Sequence, residues 1–268
     1  PETLKDRILN GRSMFLYDRE KNIFCTAIIG GAPAIAAGIA WQLKNSGSDK
    51  KVWCFVGDGT EDTGHFFEAV RYVDGFDLPC TFVVEDNDRS VETPKAERWG
   101  KAAHPKWSSC VIKYQYDIPF PHARIPAFID LKKTVKKTDE EYFPIIPVEQ
   151  FPDFNDVDVG NMSFKDAVTQ SMDELAADNA VFIGYNVARG HAMGTLKNVP
   201  EDQMIETPVA ENLMGGLGIG VSFENRKAVI YYERHDFMYV AADVIGNHID
   251  KINRISHGEY NVPVIIRA

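Results

Sequence analysis

The sequence is poor in cysteine, in basic charge and in long apolar runs, and each shortage removes a class of protein. Four cysteines, Cys25, Cys54, Cys80 and Cys110, are widely spaced and form no C-x-x-C pair, which argues against a zinc site and a disulfide-dense secreted scaffold. They read as reduced thiols inside a cell, and a cytoplasmic location is expected. Lys and Arg number 29 against 39 Asp and Glu, a formal net charge of -10, so no nucleic-acid surface and no anionic membrane is expected as a partner. The longest weakly polar stretch, Thr26 to Trp41, is broken by Pro33 and glycines and falls short of the roughly 20 apolar residues that span a bilayer. It reads as a buried helix. Gly and Pro are not in excess, and no signal-peptide pattern is visible. The chain opens at Pro1 without a Met, so a removed leader and an incomplete chain both stay open.

What is present is a chain of 268 residues with 44% hydrophobic content, enough for a large core in one or two domains. In the first part a helix over about Ala34–Leu43 leads to strand Val52–Val56, helix Gly64–Val73 and strand Thr81–Glu85, a unit that implies a parallel sheet covered by helices. The basic run "DLKKTVKK" at 130 to 137 reads as a solvated helix face. Residues 138 to 160 are acidic and punctuated by proline, with the composition of a linker. Ser163 and Asp166 then resemble a capping box that opens helix Phe164–Ala177. Strand Ala180–Gly184, a strand near Met204–Glu206, helix Val209–Val221, strand Ala228–Tyr232, a helix over about Tyr239–Ile255 and strand Val262–Arg267 follow. The expected fold class is α/β, with two mainly parallel sheets flanked by helices.

The stretch "GDGTEDTG", residues 57 to 64, puts an acid between two glycines where a strand gives way to a helix. Such junctions present backbone N–H groups to phosphate, and Asp58 would repel it. A dinucleotide site would want G-x-G-x-x-G, and Glu61 and Asp62 instead crowd the helix start. A divalent cation between Asp58 and the phosphates removes the conflict, because hard cations take oxygen from protein and phosphate together. In "FVVEDNDRS", Asn87 lies just past the next strand, where a parallel unit would bring it beside Asp58.

GDG followed, after one helix and one strand, by an Asn-containing turn resembles the thiamine-diphosphate motif. The resemblance implies magnesium, or calcium, held by Asp58, the Asn87 side chain and the Arg89 backbone oxygen, with Gly57 and Gly59 at the diphosphate. "GRSMFLYD" at 11 to 18 and "AIIGGAPAIAAGIA" at 27 to 40 are similar to the alpha subunit of 2-oxo acid dehydrogenase first components. There Ile28, Ile29 and Gly30 would approach the cofactor. Residues 162 to 268, and "ETPVAENLMGGLGIG" most strongly, are similar to the start of the matching beta subunit. The chain thus resembles a fusion of the two subunits, or a small transketolase relative. It implies a diphosphate-binding domain over 1–145, a linker over 146–161 and a pyrimidine-binding domain over 162–268.

Glu211 sits in the first turn after Pro208, where a carboxylate favours the helix dipole. The resemblance gives it a second role, hydrogen bonding to a pyrimidine nitrogen so that the cofactor loses its thiazolium proton. Gly215, Gly216, Gly218 and Gly220 should each cost a helix about 1 kcal/mol relative to Ala, so close approach of another backbone is expected there. The family places that helix near a subunit contact, implying a homodimer or larger assembly with the cofactor between domains. Phe237 matches the ring that stacks on the aminopyrimidine, although packing is the commoner use of Phe. His235, two residues earlier in an expected extended segment, shares its face and is a candidate to move a proton on substrate. His65, His104, His122 and His191 are further candidates.

Phe15 and Asp86 depart from the family pattern, which has a His and an Asn there, and residues 95 to 149 have little counterpart. The implied activity is cleavage or formation of a carbon–carbon bond beside a carbonyl. A 2-oxo acid would be the substrate, and a lipoyl domain is a possible acceptor partner. Two-carbon transfer between aldehydes or ketoses, as in transketolases, and a non-catalytic binding homologue are the alternatives.

Overall fold

In the computed structural model, residues 2–9, 15–90, 93–99, 101, 105–117 and 162–268 are described. The basic run at 130 to 137, the linker at 146–161, His104 and His122 lie outside them.

Helix α1 (Glu2–Leu9) and an antiparallel ribbon of β1 (Tyr17–Asp18) and β2 (Ile23–Phe24) lead into α2 (Gly31–Asn45). That helix begins three residues earlier than its apolar pattern indicated. Pro33 falls in its first turn, where a missing N–H costs no helical bond. Strand β3 (Val52–Gly57) runs into a single turn, α3 (Asp58–Glu61), and then α4 (Gly64–Gly75). Thr63 caps α4, its Oγ1 accepting the Phe66 N–H at 3.1 Å, and Phe66, Ala69, Val70 and Val73 form the buried face. Strand β4 (Cys80–Asp86) is buried along nearly its whole length, with an apolar centre at Phe82, Val83 and Val84, as a central parallel strand covered on both sides should be. A ribbon of β5 (Arg89–Ser90) and β6 (Thr93–Pro94), helix α5 (Lys95–Trp99) and strand β7 (Val111–Gln115) follow. The sheet order is β3-β4-β7, all parallel, with Phe82 opposite both Cys54 and Val111.

The second part opens with α6 (Phe164–Ala177), capped by Ser163 as its sequence indicated. It continues through β8 (Val181–Gly184), the short turn α7 (His191–Gly194), β9 (Met204–Glu206), α8 (Glu211–Phe223) and β10 (Ala228–Tyr231). Short turns α9 (Ala242–Val244) and α10 (Ile252–Ile255) precede β11 (Val264–Arg267). These strands form a second parallel sheet, in the order β11-β10-β8-β9. The molecule is therefore α/β with two helix-flanked parallel sheets.

The long helix expected over Tyr239–Ile255 is not continuous. A 3-10 turn at His235–Tyr239, α9, a π turn at Ile245–Ile249 and α10 replace it. The π turn closes through the Asp250 N–H to the Ile245 carbonyl at 3.0 Å, and its inserted residue rotates the helix face so that His248 points inward. The 3-10 turn also removes the extended segment expected at His235 and Phe237. Its three-residue period sends the two side chains to different faces, leaving His235 exposed and Phe237 half-buried against the core.

All thirteen residues of α8 are buried, and its glycines explain how. A Cβ on Gly216 would lie 2.2 Å from that of Ala34, and one on Gly220 would lie 2.4 Å from the Ile35 carbonyl oxygen and 2.6 Å from the Gly38 Cα. The backbone these glycines approach is thus α2 of the same chain. Both contacts advance by four residues, so α2 and α8 run parallel and their N-termini share one end of the molecule. One apolar cluster holds Ala34, Ile35, Phe66 and Val84 together with Leu213, Leu217 and Ile230, so both sheets contribute to it. The cysteines are free thiols, and burial pushes Cys54 up to about 12. Among the described residues no helix is long and apolar enough to cross a membrane.

Candidate functional site

The junction that posed the sequence puzzle opens onto a cavity of about 400 Å³. Ile29, Gly57, Asp58, Gly59, Asn87 and Arg89 line it, six residues singled out from sequence. Parallel pairing of β3 with β4 sets Gly57 opposite Glu85, so the turns that follow the two strands emerge side by side. Gly59 is needed because a Cβ there would sit 2.3 Å from Ser90 Oγ. The Gly30 N–H donates to Thr60 Oγ1 at 3.3 Å, which ties the turn before α2 to the GDG turn, and the Ile28 N–H donates to Thr26 Oγ1 at 3.2 Å. Asn87 Oδ1 accepts the Arg89 N–H at 3.0 Å, and Asn87 Nδ2 donates to the Tyr116 hydroxyl at 3.4 Å. The turn bearing the expected ligands is therefore held from within.

Beneath the cavity lies a buried ion network that the sequence did not reveal. Lys95 Nζ is 2.6 Å from Asp86, 3.6 Å from Glu61 and 3.8 Å from Asp58. Lys113 Nζ is 2.6 Å from Glu61 and 3.1 Å from Asp86, and Trp107 Nε1 donates to Glu61 at 2.8 Å. All three carboxylates are almost fully buried. Burial opposes ionisation of Asp86, but hydrogen bonds from Lys95, the Asp88 N–H and Lys113 hold its carboxyl well below the usual range. Glu61 and Asp86, the residues that departed from the motifs, are thus members of one charge network. Among the described residues, three carboxylates face two ammonium groups in this network.

The donor set beside this network suits a cation. Asp58, Asn87 and Arg89 all line the cavity and could offer a carboxylate, an amide oxygen and a backbone oxygen, the hard ligands that magnesium or calcium takes. Among the described residues no group of three or more His, Cys, Asp or Glu could hold a metal by itself, which leaves amide, backbone and phosphate oxygens to complete any coordination.

Glu211 does not line this cavity, yet it opens α8 at the end where α2 begins with Gly31, next to Ile29 and Gly30. Burial raises the Glu68 carboxyl; His65 opposes that shift and the Glu211 charge adds to it, so these three groups share a neighbourhood. Glu68 Oε2 and Asn212 Oδ1 are buried there without a hydrogen-bond partner. The Tyr232 hydroxyl donates to the Glu211 carbonyl at 3.3 Å.

Of the histidine candidates, His65 packs beside Gly30, where an added Cβ would meet its Nδ1 at 3.2 Å. His235 is exposed on its 3-10 turn, and His191 opens α7, whose Ala192 belongs to the smaller core. Phe237 packs on the core with the Arg234 guanidinium 5.3 Å from its ring centroid. Sequence reasoning missed His248, which is buried against Gly31 and bonded to Thr26 Oγ1 at 3.4 Å. It stood in an expected regular helix, with nothing in the period to mark it.

Residues 3–104 match the family described as Dehydrogenase E1 component. The beta-1 subunit of the mitochondrial pyruvate dehydrogenase E1 component of Oryza sativa subsp. japonica is 29% identical over 114 residues, 40% of this chain and 30% of that protein. The mitochondrial beta-1 subunit of Arabidopsis thaliana is 30% identical over the same length, 31% of that protein. The alpha subunit of the pyruvate dehydrogenase E1 component of Staphylococcus aureus (strain COL) is 31% identical over 71 residues, 26% of this chain and 19% of that protein. The matches span about a third of the beta relatives and a fifth of the alpha relative. One chain thus carries likeness to both subunits of a 2-oxo acid dehydrogenase first component.

Proposed function

We propose that this chain is a thiamine-diphosphate- and magnesium-dependent enzyme of the 2-oxo acid dehydrogenase type, acting on pyruvate or a related 2-oxo acid. The observation that carries the reading is the convergence of Asp58, Asn87 and Arg89 on one cavity, at the end where both α2 and α8 begin. The Asp58 carboxylate, the Asn87 amide oxygen and the Arg89 carbonyl would hold the cation, and the Gly57–Gly59 turn would face the diphosphate. Glu211, buried at the start of α8, would hold a proton at the pyrimidine ring nitrogen, and its low exposure keeps water from competing. Bound thiamine diphosphate supplies the carbon nucleophile for the 2-oxo carbonyl. His65, which packs beside Gly30 at this junction, would be the group that moves a proton on substrate, in place of the exposed His235. A division into a diphosphate-binding unit over 1–145, a linker over 146–161 and a pyrimidine-binding unit over 162–268 is part of the same proposal, as is assembly into a dimer or larger.

The test is reduction of an artificial electron acceptor by a panel of 2-oxo acids, with thiamine diphosphate and magnesium added. The expected result is turnover by the parent protein, with Glu211→Gln binding the cofactor but losing turnover. Product formation only with an aldehyde acceptor, or cofactor binding without any turnover, would overturn the assignment.

A further inference from the structure

Lys95 stands between the two arms of the candidate metal site. Its ammonium group, on a side chain 8% exposed, faces Asp58, Glu61 and Asp86 at 3.8, 3.6 and 2.6 Å. Its backbone N–H donates to the Asp88 carbonyl at 3.1 Å, inside the turn that carries Asn87 and Arg89. Asp86, the carboxylate it touches most closely, accepts the Asp88 N–H at 3.0 Å from the other side. One residue therefore reaches the Asp58 arm by charge and the Asn87–Arg89 arm by hydrogen bonds. Lys113 is placed differently, because its ion pairs are with Glu61 and Asp86.

Carboxylates buried together without counter-charge repel one another and are costly to desolvate. A cation site that has to exist before its cation arrives needs an internal positive charge to stay assembled. The same charge then remains beside the cation once it binds, and weakens its hold. We propose that Lys95 is a positioning residue, a built-in counter-cation that keeps the Asp58 and Asn87–Arg89 arms together without a divalent ion and lowers the site's affinity for one. The proposal rests on the ligand assignment above and adds to it a residue that touches neither cofactor nor substrate.

Replacing Lys95 by Met leaves three carboxylates facing one ammonium group. Removing the Asp58 charge as well offsets the positive charge lost with Lys95. The experiment uses the full chain without thiamine diphosphate and compares the parent, Lys95→Met and Lys95→Met/Asp58→Asn. Thermal unfolding is followed in EDTA, and Mn2+ binding is followed by the spin-resonance signal of the free ion.

Lys95→Met should melt below the parent in EDTA and bind Mn2+ more tightly, on the order of tenfold or more for a unit charge removed at this range. A variant that folds only when Mn2+ is added would be the extreme form of the same result. Adding Asp58→Asn should recover part of the lost melting temperature in EDTA and abolish Mn2+ binding. A folded Lys95→Met that binds Mn2+ no more tightly than a Mn2+-binding parent overturns this proposal and leaves the ligand assignment standing. Mn2+ bound by neither protein overturns this proposal, and Mn2+ still unbound by both when thiamine diphosphate is added overturns the ligand assignment as well. A double variant no more stable than Lys95→Met alone overturns the coupling between Lys95 and Asp58.

Discussion

The two halves share a side-chain core and also pack backbone against backbone where α2 meets α8, and one alanine should expose the second contact. A Cβ placed on Gly220 would lie 2.4 Å from the Ile35 carbonyl oxygen, 2.5 Å from the Ile39 nitrogen and 2.6 Å from the Gly38 Cα. All three are backbone atoms, so no rotamer change relieves the clash and α8 must shift away from α2. Overpacking of this kind costs ~1–3 kcal/mol, and the shift spreads along a helix buried over its whole length. The gain in helix propensity from Gly to Ala is about 1 kcal/mol in the other direction. Gly220→Ala should therefore be destabilised by a net of up to ~2 kcal/mol, and so by ~1–3 kcal/mol relative to an alanine that gains the helix propensity without the clash, with a fall of roughly 2–4 °C in melting temperature per kcal/mol for a chain of this size. Gly75, at the exposed end of α4, is the control, because a Cβ there would meet nothing within 4 Å. Gly75→Ala should be neutral or stabilised by up to about 1 kcal/mol. Urea unfolding followed by far-ultraviolet circular dichroism measures both. Gly220→Ala as stable as Gly75→Ala would refute the backbone contact between the helices.

The remaining predictions concern charge. Asp86 ionises more readily in the folded protein than in the unfolded chain, so its contribution to stability is complete above the ordinary carboxylate range and is lost progressively as the pH falls from that range to the lowered folded value. Asp86→Asn should lose much of the acid-dependent fall in stability, read as a flatter melting temperature against pH on the acid side. An unchanged acid limb would remove Asp86 from the network. Glu211→Gln should keep its fold and its cofactor affinity while losing turnover, and unchanged turnover would end the role given to that carboxylate.

The strand-turn-helix junction at Gly57 and the turn at Asn87 were legible because their geometry is local. Parallel pairing of consecutive strands then brings the two turns together almost automatically. The close approach behind the glycines of α8 was legible too, since a helix tolerates so many only where another backbone needs the space. The partner helix was not, because no local rule links Gly220 to Gly38. The ion network stayed hidden for a related reason. Lys113 reaches Glu61 only through the pairing of β7 with β4, which sets it opposite Val84, and Lys95 only through the ribbon that precedes α5. The break in the helix expected over Tyr239–Ile255 follows from an inserted π residue, which hydrophobic period alone does not register. That break separated His235 from Phe237 and brought His248 inside.

Calorimetric titration of thiamine diphosphate into the full chain, with magnesium and again with EDTA, tests the central assignment most directly. Binding is expected with magnesium and should be lost both in EDTA and in Asp58→Ala. Equal affinity in the two buffers, or no binding in either, would contradict a cation held by Asp58, Asn87 and Arg89.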